Sequence, residues 1–461
     1  MFTIPSKGVK PKEASMRNKL RLCSVIAMLA IMTFAFAGGA AEKQETKLRF
    51  IDVSPSPTRQ EYFTNTFEKF KQETGISVVY ESVPWDDAAN KLTVLGASNQ
   101  LPDVMTTWAG WLGQFTEAGW VVPLSDYIGS TKDEYASTVT ELVWKAEQEL
   151  YGNIYTIPDG MMVKGVFVRK DWAKEVGLDL DMKKGWTYAE YFDAVYKLTD
   201  PSKNRYGTSF RGSRGAFDPL FVYLESLNGG SAYAADGSSL MKNQEAVDAY
   251  KKWMGLYLDG CAPKDAINWG FVEMVDNFCG GLTGTLINDS EVAATALANM
   301  KDEQWMVMPM PRSDKDGKIY NTVNSPYAYS ISSSSKNKDA AWKLIEFLTR
   351  PDNNIEYCKL TGLIPIKTAV GDDPFYGPNG PYAAFVQQLN DPAMVVPVAF
   401  GPFNYTDMHQ GMMHEEMQKY LLGRQDAQTS LFNVVNELEK RMKAYLAENP
   451  GSAVEQPKGL L

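Results

Sequence analysis

Short apolar runs and amphipathic repeats alternate along the first part of the chain. Runs at 47–54, 76–85 and 101–107 are rich in β-branched and aromatic residues and end in turn residues, which is typical of buried strands. Between them apolar residues recur at helical spacing, as from Tyr62 to Phe70 before Gly75. This order, a strand and a helix in alternation, predicts a parallel sheet with crossover helices.

Large or polar side chains follow two of these predicted strands, at the point where each strand ends. Trp85 ends the second run and Asp86 follows it; Thr107 ends the third run and Trp108 follows it, with Trp111 shortly after. Ligands of such sheets bind at the carboxyl ends of the strands. These five residues are therefore candidate ligand contacts, and core packing is the alternative for the tryptophans.

The middle of the chain predicts a second α/β lobe. GVFVRK, RYGTSFRG and LTGTLIND each have the pattern of a strand, and helical repeats separate them. Thr187 is the expected N-cap of one helix, and Glu190 completes a capping box with it. From about residue 370 to residue 448 the pattern is mostly helical, with its strongest apolar stripe over 427–438.

The N-terminus has the three parts of an export signal. Residues 1–21 carry six basic side chains against one acid, residues 22–37 are apolar without a charge, and Ala35 to Ala37 form an A-x-A site. The apolar run is shorter than the roughly 20 residues of a membrane span, so a membrane anchor is the less favoured alternative. A lipid-anchor cysteine would come just after the apolar run, whereas Cys23 lies at its start. We expect a signal peptide over 1–37, cleaved near Ala37, and a periplasmic protein; translation could begin at Met1 or Met16.

The composition of the chain excludes some classes of function. The chain has 461 residues, 44% of them hydrophobic, and a net charge of −10, so it is globular, has two or three domains and is a poor partner for nucleic acid. Beyond Cys23 the cysteines are Cys261, Cys279 and Cys358, whose spacing fits no metal motif. A Cys261–Cys279 disulfide is one hypothesis and buried free thiols are the other. Only two histidines occur, so a multi-histidine metal site is excluded, and no cofactor is expected.

Motifs for catalysis are sparse. The chain contains no G-x-S-x-G, no phosphate-binding loop and no G-x-G-x-x-G after a strand. The adjacent acids at 86–87 and 372–373 lie in polar stretches and are more typical of solvated surface than of a glycosidase pair. The Asp-x-Asp-Gly at 314–317 lacks the glutamate of a calcium loop and favours a hairpin turn.

Aromatic residues beside turns are the clearest chemical feature. A flat aromatic ring covers the apolar face of a sugar, and carboxylate, amide and guanidinium groups bond its hydroxyl rim. The aromatic candidates are Trp85, Trp108, Trp111, Trp269, Tyr327 and Phe403, and the polar ones are Asp86, Arg211, Asn288 and Asp289.

Several longer strings resemble one protein family. LPDVMTTWAGWLGQFTEAGWVVPLSDYI, GNIYTIPDGMMVKGVFVRKDWAKEVGL, FCGGLTGTLIND and SSSSKNKDAAWKLIEFLTRPDNN occur in the order typical of the maltose-binding-protein-like receptors of ABC sugar importers (family 1). The resemblance extends over most of residues 46–440. It implies a two-lobed α/β periplasmic-binding-protein fold of type II, with a mainly parallel sheet flanked by helices in each lobe and the ligand in the cleft between them.

The resemblance also implies where the lobes divide. Crossings are expected near Tyr155–Gly160, Met308–Pro311 and Pro351–Tyr357. The N-terminal lobe would then combine 42–157 with 310–352, and the C-terminal lobe 158–309 with 353–461. Closure would be a hinge motion around the sugar.

Site residues follow from the resemblance position by position. Thr107, Trp108 and Trp111 match the family's first-lobe contacts, and Asp159 and Met162 lie at and just past the first crossing. Maltose-type members often have an acid where this chain has Met162. Asn288 matches the asparagine of the family's Asn-Gly-Pro-Trp motif, but Glu291 stands where that motif has tryptophan. This departure puts maltodextrin as the ligand in doubt. A C-terminal aromatic contact is expected between Phe403 and Gln410.

These observations predict a monomeric periplasmic receptor that captures a mono- or oligosaccharide and delivers it to an ABC transporter permease, without being an enzyme. Two alternatives stay open. One is a secreted polysaccharide-acting hydrolase. The other is a receptor of the same fold for a non-sugar solute, such as a polyamine, a peptide or ferric ion.

Overall fold

A computed structural model describes residues 46–368, 373–398, 400–403, 405 and 407–459 of the chain. The predicted signal peptide lies outside these residues. None of the helices within the described ranges combines the length and the apolar character that crossing a membrane requires.

The first third of the chain builds most of one lobe. Helix α1 begins where the Ser56 hydroxyl accepts a hydrogen bond from the Arg59 N–H and ends at Gly75, whose φ is 73°. The elements in chain order are β1 (Lys47–Asp52), α1 (Pro57–Thr74), β2 (Ser77–Ser82), α2 (Trp85–Ala97), β3 (Val104–Thr107), α3 (Ala109–Glu117), α4 (Ser125–Ile128) and α5 (Lys145–Tyr151).

The middle third builds most of a second lobe. The capping box predicted at Thr187 and Glu190 is confirmed, since each side chain accepts a hydrogen bond from the other residue's N–H. The elements are β4 (Ile157–Pro158), β5 (Met162–Arg169), α6 (Lys170–Glu175), α7 (Tyr188–Leu198), α8 (Phe217–Ser226), α9 (Gln244–Leu258), α10 (Phe271–Cys279), β6 (Thr285–Asp289), α11 (Val292–Asn299) and β7 (Trp305–Met308).

The last third of the chain contributes elements to both lobes. Its elements are β8 (Ile319–Tyr320), β9 (Val323–Asn324), β10 (Ala328–Ile331), α12 (Lys338–Leu348), α13 (Pro351–Thr361), α14 (Ala383–Leu389), β11 (Met394–Val396), α15 (Met413–Leu421), α16 (Ala427–Glu448) and β12 (Lys458–Gly459). The stripe predicted on α16 is buried, from Ala427 through Leu431 to Leu438.

The first lobe is built on a five-stranded sheet in the order β2-β1-β3-β10-β4. β1 and β3 are parallel, with Phe50 beside Val104, as the strand and helix alternation predicted. β10 enters from far along the chain and runs antiparallel to both β3 and β4. Phe50, Phe63 and Phe67 pack on this sheet from α1 and β1.

The second lobe is built on β6-β5-β7, with β9 added beside β5. The resemblance implied a mainly parallel sheet, but β5 is antiparallel to both β6 and β7. The reason is that β5 enters directly from the first lobe, so no crossover helix sets it parallel to a neighbour. The segment at 206–209 runs parallel to β6, through Tyr206 and Thr283.

The chain passes between the sheets at 159–161 and again between β9 and β10. The sequence placed this second passage near Met308–Pro311. In the structure β7 ends there, and the following loop stays on the second lobe, where the Arg312 N–H donates to Trp186 O at 2.7 Å and β8 pairs with β11. The two prolines therefore end a strand without directing the chain across. The lobe boundaries as a whole stay a prediction.

The predicted Cys261–Cys279 disulfide is not formed. Both thiols are free, as is that of Cys358. Cys261 is buried beside Thr199 and Thr208, whereas Cys279 ends α10 near Arg169, so the two side chains face different neighbours. Burial raises the pKa of both thiols, that of Cys279 to about 11.

Candidate ligand-binding site

A cleft of about 540 Å³ opens between the two lobes. This volume lies within the range of about 300–1,000 Å³ that is usual for small-molecule sites. Its first-lobe side is formed by residues of α2 and α3, and its second-lobe side by β5, β6, α8 and the loop before α15.

The first-lobe wall is made of three indoles. The Trp85 and Trp111 rings are stacked, with centroids 4.8 Å apart and planes at 25°. Trp108 stands across both, at 5.9 Å from Trp85 and 6.2 Å from Trp111. Because Trp85 opens α2 and Trp108 is the N-cap residue of α3, the ends of β2 and β3 place both rings at one edge of the sheet. All three are only partly buried and line the cleft, so part of each ring is exposed there.

A glycine fixes where the Trp108 ring lies. A Cβ atom added to Gly110 would overlap three atoms of the Trp108 six-membered ring. The ring therefore lies flat over the backbone of the first turn of α3. Gly113, one turn further along, has only Tyr151 in ordinary contact range, at 3.6 Å.

The second-lobe wall combines aromatic rings with paired polar side chains. Lys164 Nζ lies 2.8 Å from Asp289 Oδ2, and His409 Nε2 lies 2.9 Å from Asp218 Oδ1. Arg214 Nη1 donates to Gln410 Oε1 at 3.2 Å. The aromatic members of this wall are Phe221, Phe400, Tyr405 and the imidazole of His409.

Burial and neighbouring charges set the protonation of these groups. Burial tends to lower the pKa of Lys164, but the charge of Asp289 outweighs it and the pKa is raised. Burial tends to raise the pKa of Asp218, but the hydrogen bond with His409 and two nearby cations leave it lowered. Burial lowers the pKa of Arg211. Burial and the charge of Asp289 raise the pKa of Glu291 to about 7.

Three polar atoms of the cleft lining are buried without a hydrogen-bond partner among the described residues. They are Arg211 Nε, Asp289 Oδ1 and Thr322 Oγ1. Leaving such groups unpaired is costly.

Five residues singled out from the sequence line this cleft. They are Trp85, Trp108, Trp111, Arg211 and Asp289. Their contact with a ligand stays a prediction. Asp86 lies in the first turn of α2, and Asn288 precedes Asp289 at the end of β6.

Three other candidates are structural. The Thr107 hydroxyl is buried in the sheet and donates to Ala328 O at 3.2 Å. The Trp269 side chain is 4% exposed, and its indole N–H donates to Asp265 Oδ2 at 3.2 Å. Met162 is buried where β5 begins.

The remaining candidates lie behind the lining. Tyr327 meets the edge of Trp85 at 5.6 Å, and Phe403 packs on the second-lobe core. Glu291 is partly buried beneath the second-lobe wall and packs against Gly362, where a Cβ atom would lie 2.5 Å from Glu291 Cα.

Asp159 belongs to a buried ionic cluster at the first passage between the lobes. Arg59 bonds Asp52 through Nη2 at 2.8 Å and lies 3.6 Å from Asp159 Oδ2, which also accepts from the Tyr357 hydroxyl at 2.6 Å. Burial raises the pKa of Asp159 to about 7, against the opposing effect of Arg59. The Arg59 guanidinium also lies over the Tyr327 ring at 5.1 Å. The Asp159 carboxylate therefore lies at the first passage between the lobes, behind the aromatic wall.

A small side chamber of about 40 Å³ adjoins the cleft in the second lobe. Lys164, Arg211 and Asp218 line both spaces and so form its mouth. Its interior is formed by residues of the 206–211 segment, β6, α7, α9 and α10.

Sequence reasoning missed most of the second-lobe wall. Asp218 and Phe221 come from α8, whereas Tyr405 and His409 come from the segment before α15, nearly two hundred residues later. The C-terminal aromatic contact expected between Phe403 and Gln410 falls on this segment, in which Tyr405 lines the cleft, but no sequence pattern pointed to Asp218 or Phe221. Lys164 gave a signal that was not used, a charge inside the otherwise apolar strand MVKGVFV. Within the described ranges no three His, Cys, Asp or Glu side chains cluster as metal ligands would.

Comparison with known proteins gives a consistent picture. The family model described as bacterial extracellular solute-binding protein matches residues 54–355. A binding protein of Brucella abortus is 23% identical over 391 residues, covering 84% of this chain and 91% of the relative. The maltotriose-binding protein of Pyrococcus abyssi is 24% identical over 309 residues, covering 65% of this chain and 62% of the relative.

Solved structures share the fold. The maltose-bound MalE3 of T. maritima superposes with a TM-score of 0.70 at 20% identity, covering 86% of this chain and 100% of that one. Because the family model matches well over half of the residues, the chain belongs to the family of bacterial extracellular solute-binding proteins.

Proposed function

We propose that this protein is a carbohydrate receptor that captures a mono- or oligosaccharide by hinge closure and delivers it to an ABC transporter permease. The observation that carries the proposal is the pairing of two unlike walls across one cleft. Three indoles face it from the first lobe, and charged and amide side chains face it from the second. A sugar ring has this same division between an apolar face and a hydroxyl rim.

Hydrogen-bonding capacity supports a polyhydroxylated ligand. Lys164, Arg211 and Arg214 donate, and Asp218 and Asp289 accept, so the wall offers both roles at close spacing. Each hydroxyl can donate once and accept as well, and can therefore bridge such neighbours. Relatives and structural neighbours include receptors for maltotriose and maltose, which agrees with this class.

The proposal includes where the protein acts and its oligomeric state. The apolar segment at 22–37 with its A-x-A site supports export, cleavage near Ala37 and a periplasmic place of action. The protein acts as a monomer and without catalysis. It presents both lobes to the membrane permease once closed.

A thermal-shift panel of mono- and oligosaccharides tests the function. A ligand that binds only the native state at 100 times its Kd stabilises it by about 2.7 kcal/mol, which raises the melting temperature measurably. Isothermal titration of each hit gives the affinity. Release of reducing ends from a polysaccharide would favour a hydrolase instead. A response to polyamines, peptides or ferric ion with none to sugars would favour the non-sugar receptor.

A further inference from the structure

The side chamber lies at the carboxyl ends of two parallel segments, β6 and residues 206–211. Ser209 N–H donates to Thr285 O at 2.8 Å and Tyr206 bridges to Thr283, which holds these segments side by side. Ligand groups bind at such strand ends. The chamber is thus an extension of the cleft into the second lobe, with Arg211 at its mouth.

The interior of the chamber is mainly apolar. Trp253, Leu256, Met274 and Ile287 line it, and each is nearly or fully buried. Its hydroxyl groups are largely used within the protein, since Ser209 Oγ donates to Met274 O at 2.9 Å. A hydroxyl or a charge pushed into this interior would lose water without finding full replacement.

The mouth has the opposite character. Lys164 and Arg211 donate there and Asp218 accepts, with Asn288 just inside. Arg211 Nε has no partner within the described residues. Asp218 at the mouth and Asp289 in the adjoining cleft offset the positive charges of Lys164 and Arg211, so the mouth offers no excess positive charge to an anionic substituent.

Size restricts the substituent further. A space of about 40 Å³ holds about three water-sized atoms at 10–15 Å³ each. A single hydroxyl on a sugar ring leaves the interior empty. A hydroxymethyl group reaches inside but places its oxygen among apolar side chains and the hydroxyls of Tyr191, Thr208 and Ser209, which already bond within the protein. The carbonyl carbon, oxygen and methyl of an acetamido group fill the space with the methyl innermost.

We propose that the chamber receives the acetamido group of an N-acetylated sugar bound in the cleft. The amide oxygen accepts from Arg211 or Lys164 at the mouth, the amide N–H donates to Asp218, and the methyl packs against Met274 and Leu256. This proposal rests on the carbohydrate-receptor function and specifies which sugars it favours.

Titration calorimetry on the full-length mature protein with three matched pairs of sugars tests it. The pairs are N-acetylglucosamine and glucose, N-acetylgalactosamine and galactose, and N-acetylmannosamine and mannose. In at least one pair we expect the N-acetyl sugar to bind at least about tenfold more tightly than its parent sugar, because it buries one methyl group and gains one charge-assisted hydrogen bond. The N-propionyl analogue of that sugar should lose the gain, since the chamber has no room for another carbon.

Two variants test whether the preference for the N-acetyl sugar arises in the side chamber. Ala216 lines the chamber, so Ala216→Val should abolish the preference for the N-acetyl sugar and leave the affinity for its parent sugar unchanged. Ala249→Val adds the same bulk to α9 of the same lobe outside the chamber and should keep the preference. Should Ala216→Val fail to fold, the N-propionyl comparison on the unmodified protein decides.

The outcomes separate the two proposals. Binding of sugars with equal affinity within every pair, or equal loss in both variants, overturns the acetamido assignment and leaves the receptor function standing. A protein that binds no sugar of the wider panel overturns both.

Discussion

Gly110→Ala should weaken sugar binding without removing any aromatic side chain. The new Cβ atom would occupy the space of the Trp108 ring, so the ring must swing away from its place across Trp85 and Trp111. At the same time alanine favours the helix over glycine by up to about 1 kcal/mol. The variant should therefore be as stable as the parent or more stable, and bind less well.

The size of the loss follows from the contact that is broken. A well-packed aromatic contact in a binding site contributes about 1–3 kcal/mol. At about 1.4 kcal/mol for each factor of ten, this corresponds to roughly 5- to 150-fold weaker binding. Titration calorimetry with the sugar found by thermal shift measures it, and urea unfolding monitors stability.

Gly113→Ala is the matched control. It lies in the same helix, gains the same helix propensity and meets only Tyr151 at ordinary distance. It should bind like the parent. Unchanged affinity in Gly110→Ala would refute the reasoning, because the Trp108 ring would then play no part in binding. Equal losses in both variants would mean that helix α3 matters as a whole.

Three further changes have definite expected results. Trp108→Ala should weaken sugar binding by about 1–3 kcal/mol in calorimetry and leave the far-UV circular dichroism spectrum unchanged. Unaltered affinity would mean that the Trp108 ring serves packing and not ligand binding. Arg59→Met leaves two buried carboxylates without their cation and should cost about 3–5 kcal/mol in urea unfolding, whereas Arg49→Met, which breaks a surface pair, should cost at most about 1 kcal/mol. Glu147 is buried, which raises its pKa from 4.5 to about 7, so the native state holds its proton longer than the unfolded chain and stability falls as pH rises from 4.5 to 7. Glu147→Gln should remove up to about 3 kcal/mol of that fall in stability, and Glu149→Gln, at an exposed position, should leave the fall unchanged. Parallel curves of unfolding free energy against pH for the parent and both variants would contradict the role given to Glu147.

The aromatic wall could be predicted from the sequence because its position is set locally. Trp108 follows β3 directly and Trp85 comes shortly after the end of β2, so the end of each strand places the ring. Trp269 also follows a turn, yet it is buried, and its indole N–H is held by Asp265. Sequence spacing tells where the backbone turns, but the exposed face of a ring depends on packing from distant segments.

Much of the second-lobe wall is set by long-range packing, so the sequence indicated Arg211, Asp289 and the stretch from Phe403 to Gln410 but not Asp218 or Phe221. Asp218 meets His409 only because α8 and the loop before α15 pack against one another. The role of Asp159 was misjudged for a similar reason. It lies in the predicted crossing, but the Arg59 and Tyr357 side chains turn its carboxylate into the protein interior.

The position of β10 has a consequence for how the chain folds. This strand lies between β3 and β4, and its Ala328 pairs with Thr107, 221 residues earlier. Contacts that close such long loops form late and slow folding. A nascent chain ending at β4 would expose the unpaired edge of β3 and lack the strand that joins them. The first lobe can therefore complete its sheet only after the whole second-lobe sheet has been synthesised, although its own first strands are made at the start.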